Sequence, residues 1–357
     1  MKLAIPRGLA LFDIDGSQKS GSGTILRLAV ALAAIKGESL HITNIRQNRP
    51  NPGLKTQHLE AVLTAARLCS AELQGATLGS RELWFKPHKI QGGKVEAEIG
   101  TAGSIPMLFM TALPICLFTK ETVQLHVVKG GTDTTHAPTI NYLRFVFLPA
   151  LKKMGVDAEL TVQKYGYYPK GNGEATLIIQ PTPTLKPLKL ESFGKLEAVK
   201  GVSVCTFLAD RKVAERQAKA ATDQLAKSGF HAEVQVYNDS SNPVQKGSSI
   251  VLWAQTSTGA VLGSDAIGEL RKMAEAVGVE AAQKLTDDLR AQATVDTHLA
   301  DMLIPYVALA KDASIYLTRN LTEHLEANIW LAEKMLGAHF NVNRIGDLYR
   351  VEKLADT

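Results

Sequence analysis

The sequence predicts an α+β fold in which a β-α-β-α-β-β unit is repeated and a smaller α/β domain is inserted. Segments with the two-residue period of strands alternate with segments that have the 3.6-residue period of helices. The same order of elements occurs twice within about the first 180 residues. A proline-punctuated stretch, P-T-P-T-L-K-P at 181–187, then precedes a segment with its own strands. Sheets are therefore expected in one layer and helices in another.

The two copies contain the following predicted elements. In the first copy these are strand 9–14, helix 23–36, strand 39–46, helix 54–69 and strands 71–78 and 82–87. In the second they are an apolar helix after G-T-A-G-S (100–104), the strand Q-L-H-V-V, a helix at 139–154 and strands 157–164 and 174–179. A third, partial copy is expected from D-M-L-I-P-Y-V-A-L-A onward, with the strand S-I-Y-L-T, a helix at 322–336 and two final strands.

The expected domains follow from these copies. Residues 1–185 form the first part of a large domain with two repeats, 186–288 form the inserted small α/β domain, and 289–357 form the last part of the large domain. The insert has predicted strands at 196–208, 231–237 and 249–256 around a helix at 212–227. Its C-terminal edge is expected inside or before a helix at 278–291.

Composition favours a globular protein without a membrane segment. The 357 residues are 45% hydrophobic, and the net charge of +5 permits a polyanionic partner without requiring one. The apolar run M-L-F-M-T-A-L-P-I-C-L-F is too short to span a bilayer. Cys69, Cys116 and Cys205 lie far apart in apolar segments, which predicts buried thiols in a reducing compartment. We therefore expect a cytoplasmic protein, or a nuclear one if the source is eukaryotic.

The stretch D-I-D-G-S-Q-K-S-G-S-G-T-I-L-R at 13–27 resembles a phosphate-binding loop but lacks its defining residues. Ser22 and Gly23 stand where the Walker pattern requires Lys and Ser or Thr, and no third glycine completes a dinucleotide fingerprint. Free amides at a helix N-terminus still attract anions. Two interpretations remain, an anion site at the helix start or a tight turn.

Two further loops and one histidine are candidate site residues. Arg46 and Arg49 lie in the proline-rich segment N-I-R-Q-N-R-P-N-P-G-L-K-T-Q-H-L, where they either bind a phosphate or carboxylate or face solvent. G-G-T-D-T-T-H-A-P at 130–138 is a turn with hydroxyls suited to capping a helix. His324 follows a predicted N-cap, Thr322, so it is either a nucleophile or a surface residue of the first turn. The sequence contains no H-E-x-x-H, G-x-S-x-G or metal-spaced Cys/His pattern.

Taken in order, these stretches resemble the RNA 3'-terminal phosphate cyclase family. The motifs are D-G-S-Q-x-x-G-x-G-x-I-L-R, I-R-x-x-R-x-x-P-G-L-x-x-Q-H-L, T-A-G-S, G-G-T-D, Y-Y-P-K-G-N-G-E, T-V-D-x-x-L-A-D and T-x-H-x-x-x-x-I. They extend over nearly the whole chain. The resemblance implies three β-α-β-α-β-β repeats with one small inserted α/β domain.

The resemblance also implies an activity. Family members use ATP to convert an RNA 3'-terminal phosphate into a 2',3'-cyclic phosphate, through AMP held on the histidine that corresponds to His324. The residues expected to hold phosphate or RNA are Arg27, Arg46, Arg49 and Gln57. Those expected to border the adenine nucleotide are Met110, Pro138, His298, Leu299, Ala300, Asp301 and Met302. The expected partner is RNA with a 3'-phosphate end, and the expected cofactors are ATP and a divalent metal, Mg or Mn.

Four positions depart from the family pattern. Ser20 stands where the family has a metal-binding glutamate, and Met110 and Met302 replace glutamines. His298 replaces a tyrosine expected to stack on adenine. A serine is a weak metal ligand that leaves the cation's charge uncompensated. We therefore expect activity that depends less on Mg²⁺, with Lys19 partly replacing the metal, or a changed nucleotide preference.

Two other functions are compatible with the sequence. One is a catalytically impaired, cyclase-like RNA-binding protein in RNA processing or ribosome assembly, although the histidine lost in that branch is kept here. The other is phosphoryl or enolpyruvyl transfer to a small molecule, which related repeats perform. The paired I-R-x-x-R and the terminal histidine argue against the latter.

Overall fold

A computed structural model describes residues 11–356 as three repeats with an inserted domain. The helices are α1 (Gly23–Lys36), α2 (Thr56–Cys69), α3 (Ile105–Cys116), α4 (Ile140–Tyr142), α5 (Leu148–Lys153), α6 (Val213–Lys227), α7 (Ala274–Arg290), α8 (Thr297–Leu309) and α9 (Glu323–Leu336). The strands are β1 (Leu11–Asp15), β2 (Ser39–Thr43), β3 (Glu72–Gln74), β4 (Leu83–Lys86), β5 (Gly93–Glu98), β6 (Val123–Gly130), β7 (Ala158–Lys164), β8 (Gly173–Ile179), β9 (Leu196–Thr206), β10 (Glu233–Asp239), β11 (Gly247–Thr256), β12 (Val261–Ile267), β13 (Ser314–Thr318), β14 (Phe340–Ile345) and β15 (Leu348–Lys353).

The repeats share one strand order, which confirms the predicted α+β fold. The first two sheets run β1-β2-β4-β3 and β5-β6-β8-β7, each with a parallel first pair and antiparallel remaining pairs. The third sheet runs β13-β15-β14. Lys189 makes a parallel bridge to Ile315, so the segment before the insert occupies the position of a first strand.

The inserted segment forms a sheet of its own, with the order β10-β9-β11-β12. Helices α6 and α7 pack against each other and against this sheet. At their contact Gly278 lies so close to the backbone of Gln217 that no side chain would fit. The exact boundaries of the domains stay a prediction.

Several elements differ from the sequence-based expectation. Strands β5 and β12 were not predicted, because β5 alternates charged and small residues and β12 contains glycine and aspartate. The helix expected at 139–154 is interrupted by a π-helical turn, Leu143–Phe147. Pro149, two residues beyond this turn, lacks the N–H that would continue regular α-helical bonding. The first predicted strand begins partly outside the described residues.

The core lies between the sheets and the helices. Helix α1 is almost entirely buried, with seven residues from Ala29 to Ile35 in contact with the core. The three cysteines are buried free thiols, as predicted. Within the described part of the chain, no helix has both the length and the apolar character needed to cross a membrane.

Candidate active site

A cavity of about 710 Å³ lies between the repeats and the inserted domain. Ten of the residues predicted from the sequence line it: Arg27, Arg46, Arg49, Gln57, Met110, Pro138, His298, Asp301, Met302 and His324. Leu299 and Ala300 are fully buried and do not line it. The fold thus gathers side chains from all three repeats at one place.

The N-termini of helices α1 and α9 bring His324 to the cavity. Thr322 caps α9 by accepting a hydrogen bond from the Leu325 amide, and its hydroxyl donates to Asp301 Oδ1 at 2.6 Å. His324 Nδ1 lies 3.3 Å from Thr24 Oγ1 in the first turn of α1. Thr24 Oγ1 also accepts a hydrogen bond from Arg27 at 3.4 Å. A chain of contacts therefore links the candidate nucleophile to a candidate phosphate-binding residue.

The surroundings of His324 favour its neutral form. Burial lowers the pKa of His324 below its usual value, and the positive charges of Arg27 and Arg49 lower it further. Only the neutral imidazole has a lone pair for nucleophilic attack. The ring is therefore ready to act as a nucleophile at neutral pH.

Three arginines give the cavity an uncompensated positive charge. Arg46 is buried and donates to the carbonyl oxygens of Asn51 and Gly53 at 2.6 and 2.8 Å. Burial, followed by the charges of Arg46 and Arg49, lowers the pKa of Arg27 to about 10. Among residues 11–356, none of the three arginines pairs with a carboxylate. Like charges held together without a counter-ion form a site for an anion such as phosphate.

Gln57 and His58 open helix α2 at the edge of this arginine group. Gln57 Oε1 accepts a hydrogen bond from the Ser104 amide at 2.9 Å, which leaves its amide nitrogen to donate into the cavity. His58 also lines the cavity, although only 4% of its surface is exposed. No role for His58 or Thr24 was predicted from the sequence. The only sequence signal for His58 was its place beside Gln57 after the rigid loop.

The start of helix α8 forms another part of the wall. Asp296 caps this helix by accepting hydrogen bonds from the amides of His298 and Leu299, both at 3.0 Å. It also accepts from Tyr142 and from the Gly263 amide of the inserted domain. The cap holds His298 at the cavity, where its ring is available to contact a base.

Ser20 does not reach the cavity. It is 6% exposed, and its hydroxyl lies 3.0 Å from that of Ser22, the N-cap of α1. Within residues 11–356, no cluster of three or more His, Cys, Asp or Glu side chains has a geometry that would hold a metal ion. The side chains of this loop therefore do not fit the divalent metal that the resemblance implies.

The chain is similar over most of its length to known proteins of one family. A family model described as RNA 3'-terminal phosphate cyclase matches residues 18–342. The chain is 44% identical over 341 residues to the RNA 3'-terminal phosphate cyclase of Pyrobaculum neutrophilum, covering 95% of this chain and 97% of that protein. It is 42% identical to the proteins of the same name from Methanosarcina barkeri and Pyrococcus furiosus, with 96% and 92% of this chain and 99% and 94% of those proteins covered.

Proposed function

Because this chain belongs to the RNA 3'-terminal phosphate cyclase family, we propose that it converts an RNA 3'-terminal phosphate into a 2',3'-cyclic phosphate. The reaction consumes ATP and passes through AMP bound covalently to His324. One observation carries the proposal: a neutral, partly buried histidine lies in the same cavity as three arginines that have no carboxylate partner among residues 11–356.

The first step joins AMP to the protein. Thr24 Oγ1 contacts Nδ1 of His324, so a proton on Nδ1 leaves the lone pair of Nε2 free to attack. A bond forms between Nε2 and the α-phosphorus of ATP, and the bond from that phosphorus to the pyrophosphate oxygen breaks. The arginines hold the phosphate oxygens and stabilise the negative charge that develops on pyrophosphate.

The second and third steps act on the RNA end. An oxygen of the RNA 3'-phosphate attacks the α-phosphorus of the histidine-bound AMP, and the phosphorus–nitrogen bond breaks. The neighbouring 2'-hydroxyl then attacks the activated 3'-phosphorus, and AMP leaves. Adenylylation supplies a good leaving group, and the adjacent hydroxyl on the same ribose supplies proximity.

The other lining residues have roles in binding. Met110, Pro138 and Met302 supply apolar surface for adenine, and the ring of His298 stacks on it. Because the arginines contact phosphate rather than base edges, RNA binding shows little dependence on base sequence.

The test is labelling of the protein with ATP that carries a radioactive α-phosphate. We expect an acid-labile protein–AMP adduct on the wild type and none on His324→Ala, because a phosphoramidate needs the imidazole. A matched variant, His126→Ala, replaces a histidine of strand β6 outside the cavity and keeps the adduct. If the wild type forms no adduct with any divalent metal, the catalytic proposal is wrong and an RNA-binding role remains.

A further inference from the structure

His58 has an unusual environment for a buried histidine. Its Nδ1 atom is buried without a hydrogen-bond partner. Among the described residues, no hydrogen bond involves Nε2 either. A polar ring without hydrogen-bond partners costs free energy when it is buried, and since Nδ1 is closed off, a ligand in the cavity can lower this cost only through Nε2.

The geometry places Nε2 of His58 beside the phosphate-binding arginines. A Cβ atom built on Gly23 would overlap Nε2 of His58 and lie 2.9 Å from Nη1 of Arg27. These two atoms therefore converge beside the first residue of helix α1. Since Nδ1 is buried and His58 lines the cavity, Nε2 is the ring atom that a substrate reaches.

The electrostatic surroundings make Nε2 an acceptor. Burial, and then the charges of Arg27 and Arg46, lowers the pKa of His58 to about 2, so the ring is neutral. A neutral imidazole next to a cation is more stable with its lone pair turned toward the charge. Arginines can only donate, so His58 adds an acceptor at the place where a bound phosphate meets donors.

The substrate has one group that needs such an acceptor. A terminal phosphate held by the arginines has its own ribose 2'-hydroxyl as nearest neighbour, and that hydroxyl donates one hydrogen bond. We propose, on the basis of the function proposed above, that Nε2 of His58 accepts this hydrogen bond and orients the 2'-oxygen toward the 3'-phosphorus. His58 is then the residue that distinguishes a ribose end from a deoxyribose end.

The same contact provides a path for the proton in the cyclisation step. The bond between the 2'-oxygen and phosphorus forms, the bond from phosphorus to the AMP oxygen breaks, and the hydroxyl proton moves to Nε2. Bound phosphate offsets the charges of Arg27 and Arg46, so substrate binding makes Nε2 more basic than it is in the empty cavity. The proton then passes to solvent after AMP leaves.

The test compares two ligands that differ by one oxygen. The dissociation constants of a 3'-phosphorylated RNA oligonucleotide and of the same oligonucleotide with a terminal 2'-deoxyribose are measured by fluorescence anisotropy without ATP. We expect the wild type to prefer the ribose end by about fivefold, the net effect of one hydrogen bond. The preference should fall to about one in His58→Ala and recover in part in His58→Gln, whose amide oxygen is an acceptor.

Three outcomes would overturn the proposal. These are no ribose preference in the wild type, an unchanged preference in His58→Ala, and a weakening of both ligands that leaves their ratio as in the wild type. The last result would indicate a purely structural role. His126→Ala serves as the matched control, because His126 contacts Thr176 outside the cavity. Because these measurements need no ATP, they are independent of whether His324 becomes adenylylated.

A second readout follows the reaction itself. If His58 orients the attacking hydroxyl, His58→Ala should accumulate adenylylated RNA relative to cyclic product by about tenfold or more. The ratio of the two RNA products, separated on a denaturing gel, reports this step alone. An unchanged ratio would contradict the proposed role.

Discussion

The protonation of His324 depends on individual charges in the cavity. Arg27 and Arg49 both lower its pKa, and Glu323 in the same helical turn raises it. Because Arg27 also contacts Thr24, its removal would disturb geometry as well as charge. Arg49 is exposed and does not contact Thr24, so its removal changes the charge near His324 and leaves the contact between Thr24 and His324 in place.

Substitution of Arg49 should therefore move the pH profile of adenylylation. Because the pKa of His324 in the wild type lies below 6.5, its imidazole is still neutral at that pH. The single-turnover rate of adenylylation therefore falls only at pH values below 6.5. Arg49→Met removes a positive charge, which raises the pKa of His324 and shifts the acid side of the profile to higher pH. Arg211→Met changes an exposed arginine outside the cavity, so the pH profile of adenylylation should be the same as in the wild type. A downward shift in Arg49→Met would contradict this account.

The sequence allowed residues of the candidate site to be predicted, but not the distances between their side chains. The motifs placed Arg27, Arg46 and His324 in one site through the resemblance, and the structure brings all three to one cavity. The contact between Thr24 and His324 joins residues 300 positions apart, which no local pattern encodes. The role of His58 could not be predicted either, because no sequence pattern around it distinguishes a substrate-binding histidine from a core histidine.

At the scale of elements, helix α1 has two glycines with opposite requirements. Gly23 opens the helix against His58 and Arg27, and Gly37 ends it with a left-handed φ of 68°. A Cβ on Gly23 has no room, whereas one on Gly37 meets open space but strains the backbone. Gly23 therefore leaves room for side chains of the cavity, and Gly37 allows the backbone to end the helix.

Alanine at these two positions should separate binding from stability. Gly23→Ala displaces His58 and Arg27, so affinity for a 3'-phosphorylated oligonucleotide should fall about tenfold or more, as for loss of a charged hydrogen bond. Gly37→Ala should lower the free energy of unfolding by about 1 kcal/mol and leave affinity unchanged. Anisotropy titration and urea unfolding measure the two effects. Equal loss of affinity in both variants would show that the cavity merely responds to helix stability.

The elements that the sequence did not predict share a physical cause. Strand β5 is half exposed, with Lys94, Glu96 and Glu98 on its solvent face, so its hydrophobic signal is weak. Helix α7 begins earlier than expected because Gly278, a poor helix former, fits a tight contact with helix α6. Tertiary packing, rather than local propensity, therefore determines that β5 forms and where α7 begins.

At the scale of the whole molecule, buried aspartates join the inserted domain to the repeats. Asp265 of β12 accepts a hydrogen bond from the Thr139 amide at 2.7 Å, and Asp288 of α7 accepts from Arg319 at 3.0 Å. Burial raises the pKa of Asp133, which lies at the same seam, to about 7. Ser249 of the inserted domain is among its hydrogen-bond partners.

The stability of this seam should depend on pH through Asp133. Between about pH 4 and pH 7 the folded protein keeps a proton on Asp133 that the unfolded chain has lost, so this residue destabilises the fold increasingly as pH rises. Asp133→Asn removes that dependence, and its stability relative to the wild type should rise by about 1.4 kcal/mol per pH unit, about 4 kcal/mol across this range, and then level off. Urea unfolding at pH 4.5, 6 and 8 measures the difference. Asp210→Asn, at an exposed position, should show no such trend, and a falling difference for Asp133→Asn would refute the account.

The position of strand β13 has a consequence for synthesis of the chain on the ribosome. Leu188 bonds to Ser314 across a separation of 126 residues, and the Thr294 amide, on the far side of the insert, bonds to Leu317 of the same strand. The third sheet therefore cannot form until the whole insert has left the exit tunnel. The first two repeats are complete long before that, so a nascent chain carries the arginines of the cavity well before it carries His324.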